Sequence, residues 1–331
     1  MTAAGSIRAA RLTDRQSLVA LSRQVHDSAE GYRRSLGVPA RSAAAPRISL
    51  AALMPSWLPL RSPSGHLVAE IEGELVGSCR AVEEPHRDDW VITELDAAAS
   101  PMAAEVRFSL LQALIEEGAQ RDVARYHAAC ADVPENMELF GQLSFMAYAQ
   151  EEIWYRPPGG PPAAPAGGEP MAEANPPDAW HLFDLWTHAT PPAIARIEGY
   201  GAADWEPVGH EAVVPRSSLN PLLHFSDVSG WLLPDGQRVT GFAQHGACRE
   251  GPHYLRFLVR DGADGAAFLA AVLAAAGGEA LSAGILAPVR TYESTGRMAA
   301  EATGFEPVGQ VSMLVREVRA ALRQPAMVPA I

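Results

Sequence analysis

The sequence predicts an α/β chain, an α+β mixed sheet built twice in tandem, and three observations carry that reading. A set of landmarks recurs in the same order in both halves: a Gly-turn strand hairpin, a further strand, a long Ala/Leu-rich helix, a short apolar strand, and a helix closing on a small-residue/Phe pair. A Pro- and Gly-rich stretch separates the halves. Within each half strands and helices interleave with the hairpin early, the pattern of a mixed sheet covered by helices. Repeats this long are domains rather than solenoid units, and 331 residues is enough for two cores.

The first domain is expected over residues 1–155. It opens on a strand, SIRAARL, after which Thr13 or Asp14 caps a helix running to about Arg34. A Pro- and Ala-rich segment from Gly37 to Pro63 has room for a short helix at Ile48 to Met54. The hairpin HLVAEIEGELVGSCRAV begins at His66, the strand WVITELDA at Trp90 and the helix containing FSLLQALIEEGA near Ser100-Pro101. The strand YHAACA from Tyr126, a helix closing on Ser144-Phe145 and a last strand through Ile153 to Tyr155 complete this half. Residues 156–178, RPPGGPPAAPAGGEPMAEANPPD, hold too little bulky apolar surface to fold and read as a semi-extended linker.

The second domain, 179–320, is expected to open on an alternating strand, WHLFDLWT, with Trp180, Phe183 and Trp186 spaced for core packing. Thr190-Pro191-Pro192 starts a helix, proline being tolerated where its missing N–H has no partner. After an irregular stretch to Ser229 the series returns: hairpin from Trp231, strand YLRFLV from Tyr254, helix AAFLAAVLAAAGG from Ala266, strand LSAGILA, and a helix closing on Gly304-Phe305 before TGFEPVGQVSMLV. A helix over Arg319 to Gln324 and a fraying tail, 321–331, finish the chain.

Composition narrows the partners. Net charge is −13 and all 26 basic residues are arginine. An acidic chain without clustered cations is not expected to bind nucleic acid. The three cysteines, Cys79, Cys130 and Cys248, lie singly among apolar neighbours without metal or redox spacing, so no metal is expected and they read as small core residues in a reducing compartment. The N-terminus lacks an apolar leader and the apolar run Ala266 to Ala276 is too short for a bilayer. The expectation is a cytoplasmic protein without a membrane partner, a monomer with pseudo-dimeric domains or a homodimer.

The order of hairpin AEIEGELVG, strand, Ala/Leu-rich helix, strand and helix closing on Gly-Phe resembles the GNAT superfamily of acyl-CoA-dependent N-acyltransferases, here as a tandem pair covering nearly all of both domains. The resemblance implies direct transfer of an acyl group from acetyl-CoA, or another acyl-CoA, to a small-molecule or peptide amine. It places the CoA pyrophosphate on the backbone amides at the N-terminus of the central helix and the pantetheine arm between two splayed central strands. It further implies a base on a strand and a tyrosine acid on the last helix.

Against that pattern, the loop in the second domain is the better match: Arg260, Gly262, Ala263, Asp264, Gly265 and Ala266 lead into the helix, with Asp261 and Asp264 as unfavourable charges. The same residues also suit a plain turn with an Asp cap. The first domain's ASPMAAEVRF has no glycine and puts Glu105 near the anion position. The implied tyrosine is Phe140 in the first domain and Ala300 in the second, a loss worth roughly 10² to 10⁴ in rate where acid help is needed. Tyr292 is the substitute. Glu94 on the first domain's central strand is the implied base; His245 and His253 could meet across the second sheet and relay a proton, with a structural role the favoured reading for each. Glu83-Glu84, Asp88-Asp89 and Glu151-Glu152 fall at strand ends where an acceptor cleft would attract a cation. A second reading stays open: two catalytically inactive copies serving as a ligand-binding or protein-interaction module.

Overall fold

The computed structural model of the chain describes residues 5–22, 64–84, 87–160, 171–206, 216–219, 225–248 and 251–318. The first half comprises β1 (Ser6–Ala9), helix α1 (15–22 within the described residues), β2 (Ser64–Ile71), β3 (Glu74–Glu83), β4 (Asp89–Ala97), α2 (Ala103–Ala119), β5 (Arg125–Ala131), α3 (Pro134–Gln142) and β6 (Met146–Arg156). The second comprises β7 (Ala172–Glu173), α4 (Ala179–Ala189), α5 (Pro192–Glu198), β8 (Phe225–Asp235), β9 (Arg238–Cys248), β10 (His253–Val259), α6 (Gly265–Ala283), β11 (Ile285–Arg290), α7 (Ser294–Ala302) and β12 (Glu306–Glu317). The expected helices at Ile48 to Met54 and Arg319 to Gln324, and the end of α1, lie outside the described residues.

Local chemistry accounts for the repeated part. The β2–β3 turn uses Glu72 and Gly73, both at positive φ, the backbone twist that suits a two-residue hairpin. Gly77 on β3 and Gly241 on β9 hold equivalent places: a Cβ would meet Val106 Cγ1 at 2.6 Å in one half and Phe268 at 3.0 Å in the other. Glycine thus lets α2 and α6 lie directly on the strand backbone in their own half.

Several expectations need correction. WHLFDLWT is the helix α4, not a strand. Leu182, Leu185 and Trp186 recur at i, i+3, i+4 and are all buried, a helical stripe that outweighs the partial alternation. The Pro/Gly-rich stretch is not linker throughout: Arg156 belongs to β6, and Ala172–Glu173 pair with β8. The apolar run after Ala266 also extends farther than expected, because α6 continues past Gly277, where φ is +85° and the helix kinks, and takes in Leu281 to Ala283 of the expected strand LSAGILA, so that β11 begins only at Ile285. Its buried face packs on β9 and β10 in the second core.

Among the described residues twelve strands form one sheet in the order β1-β2-β3-β4-β5-β12-β6-β11-β10-β9-β8-β7. The closing strands are therefore exchanged. β12 pairs antiparallel with β5 through Val311↔Ala131 to Glu317↔Arg125, while β6 pairs with β11 through Ile285↔Arg156 to Arg290↔Glu151. Each core is completed by a residue from the other half: Leu314 joins the cluster under α2, and Trp154 joins the cluster under α6. The repeat leads one to expect two self-contained cores; each instead borrows its last strand. Among the described residues the sheet ends on β1 at one side and on the two-residue β7 at the other, which pairs only with Trp231 and Leu232 of β8.

Candidate active site

In each half the parallel pair of central strands separates after a short paired stretch. β4 and β5 pair only at Asp89↔Arg125, Trp90↔Tyr126 and Val91↔His127. β10 and β11 pair only at His253↔Ile285 and Tyr254↔Leu286. Beyond these residues each pair opens a wedge towards the N-terminus of the following helix, α2 or α6.

The two wedges are furnished differently. In the second half an ion pair crosses the gap: Arg256, fully buried on β10, donates through Nη1 and Nη2 to Glu293 Oε2 and Oε1 at 2.9 and 2.5 Å. Glu293 sits just past the end of β11 and also accepts from the Arg290 amide at 3.0 Å. Arg256 Nη1 further donates to the carbonyl of Phe257 on its own strand at 2.6 Å. In the first half no side-chain hydrogen bond or ion pair among the described residues joins β4 to β5 beyond Val91 and His127. The facing β5 residues there are Ala128, Ala129, Cys130 and Ala131.

The helix starts differ as well. α6 is capped by Asp264, whose Oδ1 accepts from the Ala267 amide at 2.9 Å. Arg260 turns towards Asp184 on α4 at 3.5 Å, and Asp261 accepts from Thr295 Oγ1 at 2.6 Å. Gly262 needs its φ of +90°, whereas Gly265 is required by packing, since a Cβ would lie 3.2 Å from Ala299 Cβ and Val259 Cγ1. Ala263 packs against the second core and Ala266 lies in the first turn of α6. The six residues read as a phosphate loop are together, with Arg260, Asp264 and the adjacent Asp261 already engaged. The first turn of α2 has no side-chain cap, and Glu105 in it is exposed.

Glu94 lies at the first wedge because β4 carries a bulge. The register steps from Arg80↔Glu94 to Ala81↔Ile92, leaving Thr93 as the extra residue. Trp90 and Ile92 pack in the core under α2; past the bulge it is Leu95 that packs there, so Glu94 and Asp96 face the other way. Glu94 Oε1 accepts from Ser78 Oγ at 2.7 Å, and Ser78 Oγ is 3.1 Å from Nε2 of the buried His66. Burial first, then the Glu94 charge, pushes the Asp96 carboxyl up to about 7, with Arg107 on α2 opposing. β10 pairs with β9 without such a step.

His245 and His253 do meet, Nε2 to Nδ1 at 2.9 Å. They lie at the paired end of β10, both buried; desolvation and then the His253 charge take His245 down to about 4, and burial lowers His253. Tyr292 lies between β11 and α7, its hydroxyl pushed up by burial and then by Glu293. The two positions expected for a tyrosine acid are core: Phe140 packs edge-on against Phe145 at 5.1 Å and Ala300 is fully buried.

Four of the six acidic residues read as cation-attracting are spent in ion pairs, three of them where the halves meet. Glu84 pairs with Arg216, and Asp89 lies 3.3 Å from Arg125 and 3.5 Å from His127. Glu151, fully buried, accepts from Ser218 and lies 3.3 Å from Arg290, and Glu152 pairs with Arg297. Arg290 also reaches Glu198 at 2.8 Å, and Arg87 donates to the Glu198 carbonyl while its guanidinium stacks 4.4 Å over Tyr200. These contacts fasten α5 and the segment after it to strands of the first half.

No family model and no curated protein matches the sequence. Solved structures do match it over nearly its whole length. A GCN5-related N-acetyltransferase from Sphaerobacter thermophilus superimposes with a TM-score of 0.56 at 14% identity, covering 96% of both chains. A tandem GNAT protein from the clavulanic acid biosynthesis pathway gives a TM-score of 0.53 at 13% identity, covering 95% of this chain and 98% of that one. At such identities the likeness is one of fold, and the chain carries the GNAT fold twice in tandem.

Proposed function

We propose that this tandem GNAT fold is an N-acyltransferase that passes an acyl group from acetyl-CoA, or another acyl-CoA, to an amine. The observation that carries the proposal is the unbridged wedge between β4 and β5, which opens onto an uncapped helix start, with Glu94 and Asp96 on the face of β4 turned away from the core under α2. The loop at Arg260 to Ala266 recommends the second half on sequence. We place the acyl-CoA in the first half instead, because Arg256 and Glu293 occupy the line that the pantetheine arm would take in the second and Asp264 already holds its helix amide. Uncapped amides at the start of α2 would hold the pyrophosphate, with the helix dipole favouring it and Glu105 opposing it. Small β5 residues leave room for the arm, and Glu94 and Asp96 flank the point where an amine would meet the thioester. Acetyl-CoA supplies the activated acyl carbon; the protein positions it and manages the amine's proton.

A second reading, an inactive ligand-binding or interaction module, is favoured by one observation: both positions expected for the tyrosine acid are buried in cores. Thermal shift separates the two. Acetyl-CoA at about 100 times its Kd should stabilise the chain by roughly 2.7 kcal/mol, and a thiol-release screen over an amine panel should find turnover. No shift at millimolar acetyl-CoA favours the module.

A further inference from the structure

Resting on the acyltransferase reading, we infer that Asp96, rather than Glu94, takes the proton from the incoming ammonium, while Glu94 anchors that cation. Glu94 has one carboxylate oxygen committed to Ser78, and Ser78 is in turn held by His66. With the single Ser78 hydroxyl proton given to Glu94, His66 must donate through Nε2, so the whole row is fixed and Glu94 is oriented. Asp96 stands two residues farther along the same face, opposite Ser78 on β3, and its carboxylate has no hydrogen bond among the described residues. The charged and titratable groups acting on it are Glu94 on its own strand and Arg107 on α2, and the buried Cys79 on β3 feels its charge. A carboxyl kept near neutrality beside a second, anchored one is the division that gives two carboxyls two roles.

The step balances as follows. An ammonium bound against Glu94 gives one proton to Asp96. The freed amine lone pair forms the N–C bond at the acyl carbon as the C–S bond breaks, and the CoA thiolate leaves to be protonated by water. The extra amide-nitrogen proton departs to solvent, and Asp96 loses its own proton before the next turnover.

The test uses the full chain with acetyl-CoA and spermidine, kanamycin and a peptide with a free N-terminus as acceptor probes. Asp96→Asn should lower kcat roughly 10²- to 10³-fold and abolish the rise of rate around pH 7, with acetyl-CoA binding unchanged. Glu94→Gln should mainly raise KM for the amine, about tenfold, and move the rise to lower pH. A readout independent of turnover is carbon-detected titration of aspartate-labelled protein, in which the resonance lost in Asp96→Asn should titrate near 7 and shift down in Glu94→Gln. Titration of that resonance below 5, or an unchanged pH profile in Asp96→Asn, overturns the assignment. A chain that binds no acetyl-CoA overturns the underlying reading and the assignment with it, whatever Asp96 does.

Discussion

Asp96 carries a stability signature as well as a chemical one. Its carboxyl is held up to about 7 by burial and then by Glu94, against 3.8 unperturbed. The folded chain therefore binds the proton more tightly than the unfolded chain, so this contribution is fully present below about pH 4 and is lost as pH rises through 7. Asp96→Asn should match the wild type in urea unfolding near pH 4 and exceed it by about 2 to 4 kcal/mol at pH 8; a pH-independent difference would contradict the shift. Arg256 is the complementary case. Arg256→Met leaves Glu293 buried without its partner and should cost about 3 to 5 kcal/mol, most of it regained in the double variant with Glu293→Leu. Neither residue announces itself in the sequence. Glu94 was legible as a strand carboxylate, but the face shared by Glu94 and Asp96 depends on the bulge at Thr93, which no local pattern specifies. Arg256 sits inside an ordinary-looking strand, YLRFLV, and its partner lies 37 residues later. Gly265 was legible as a helix-start glycine, for a reason that proves to be close packing against Ala299.

At the scale of elements, the hairpins and the two central helices were readable because Gly turns and Ala/Leu runs are local signals. The strand over 125–131 and the helix starting at Pro134 fall where the apolar pattern puts them. α4 was misread because its Trp, Phe and Leu spacing satisfies period 2 in part and period 3.6 in full. The exchange of β6 and β12 was not readable at all: the two strands are equivalent in pattern, and their choice of partner is settled by contacts far apart in sequence. It makes a sharp prediction. Leu314→Ala, near the C-terminal end of the described chain, should open a cavity under α2 in the first half and cost about 2 to 5 kcal/mol. Hydrogen exchange should then rise first in β2 to β5; a loss confined to β8 to β11 would refute the exchange.

At the scale of the molecule, one sheet joins two copies of a fold whose clefts have diverged: one wedge is spanned by Arg256 and Glu293, the other is not. The exchanged strands and the Arg87, Arg216 and Arg290 contacts join the halves, each copy completing the other's core, and on the proposed reading only the first binds acyl-CoA. That division of labour is measured most directly by calorimetric titration of the full chain with acetyl-CoA, using Glu105→Gln and Asp264→Asn to remove one carboxylate charge beside each helix start. We predict one site per chain, tightened about two- to fivefold by Glu105→Gln and unchanged by Asp264→Asn. Two sites, or tightening by Asp264→Asn alone, would contradict it.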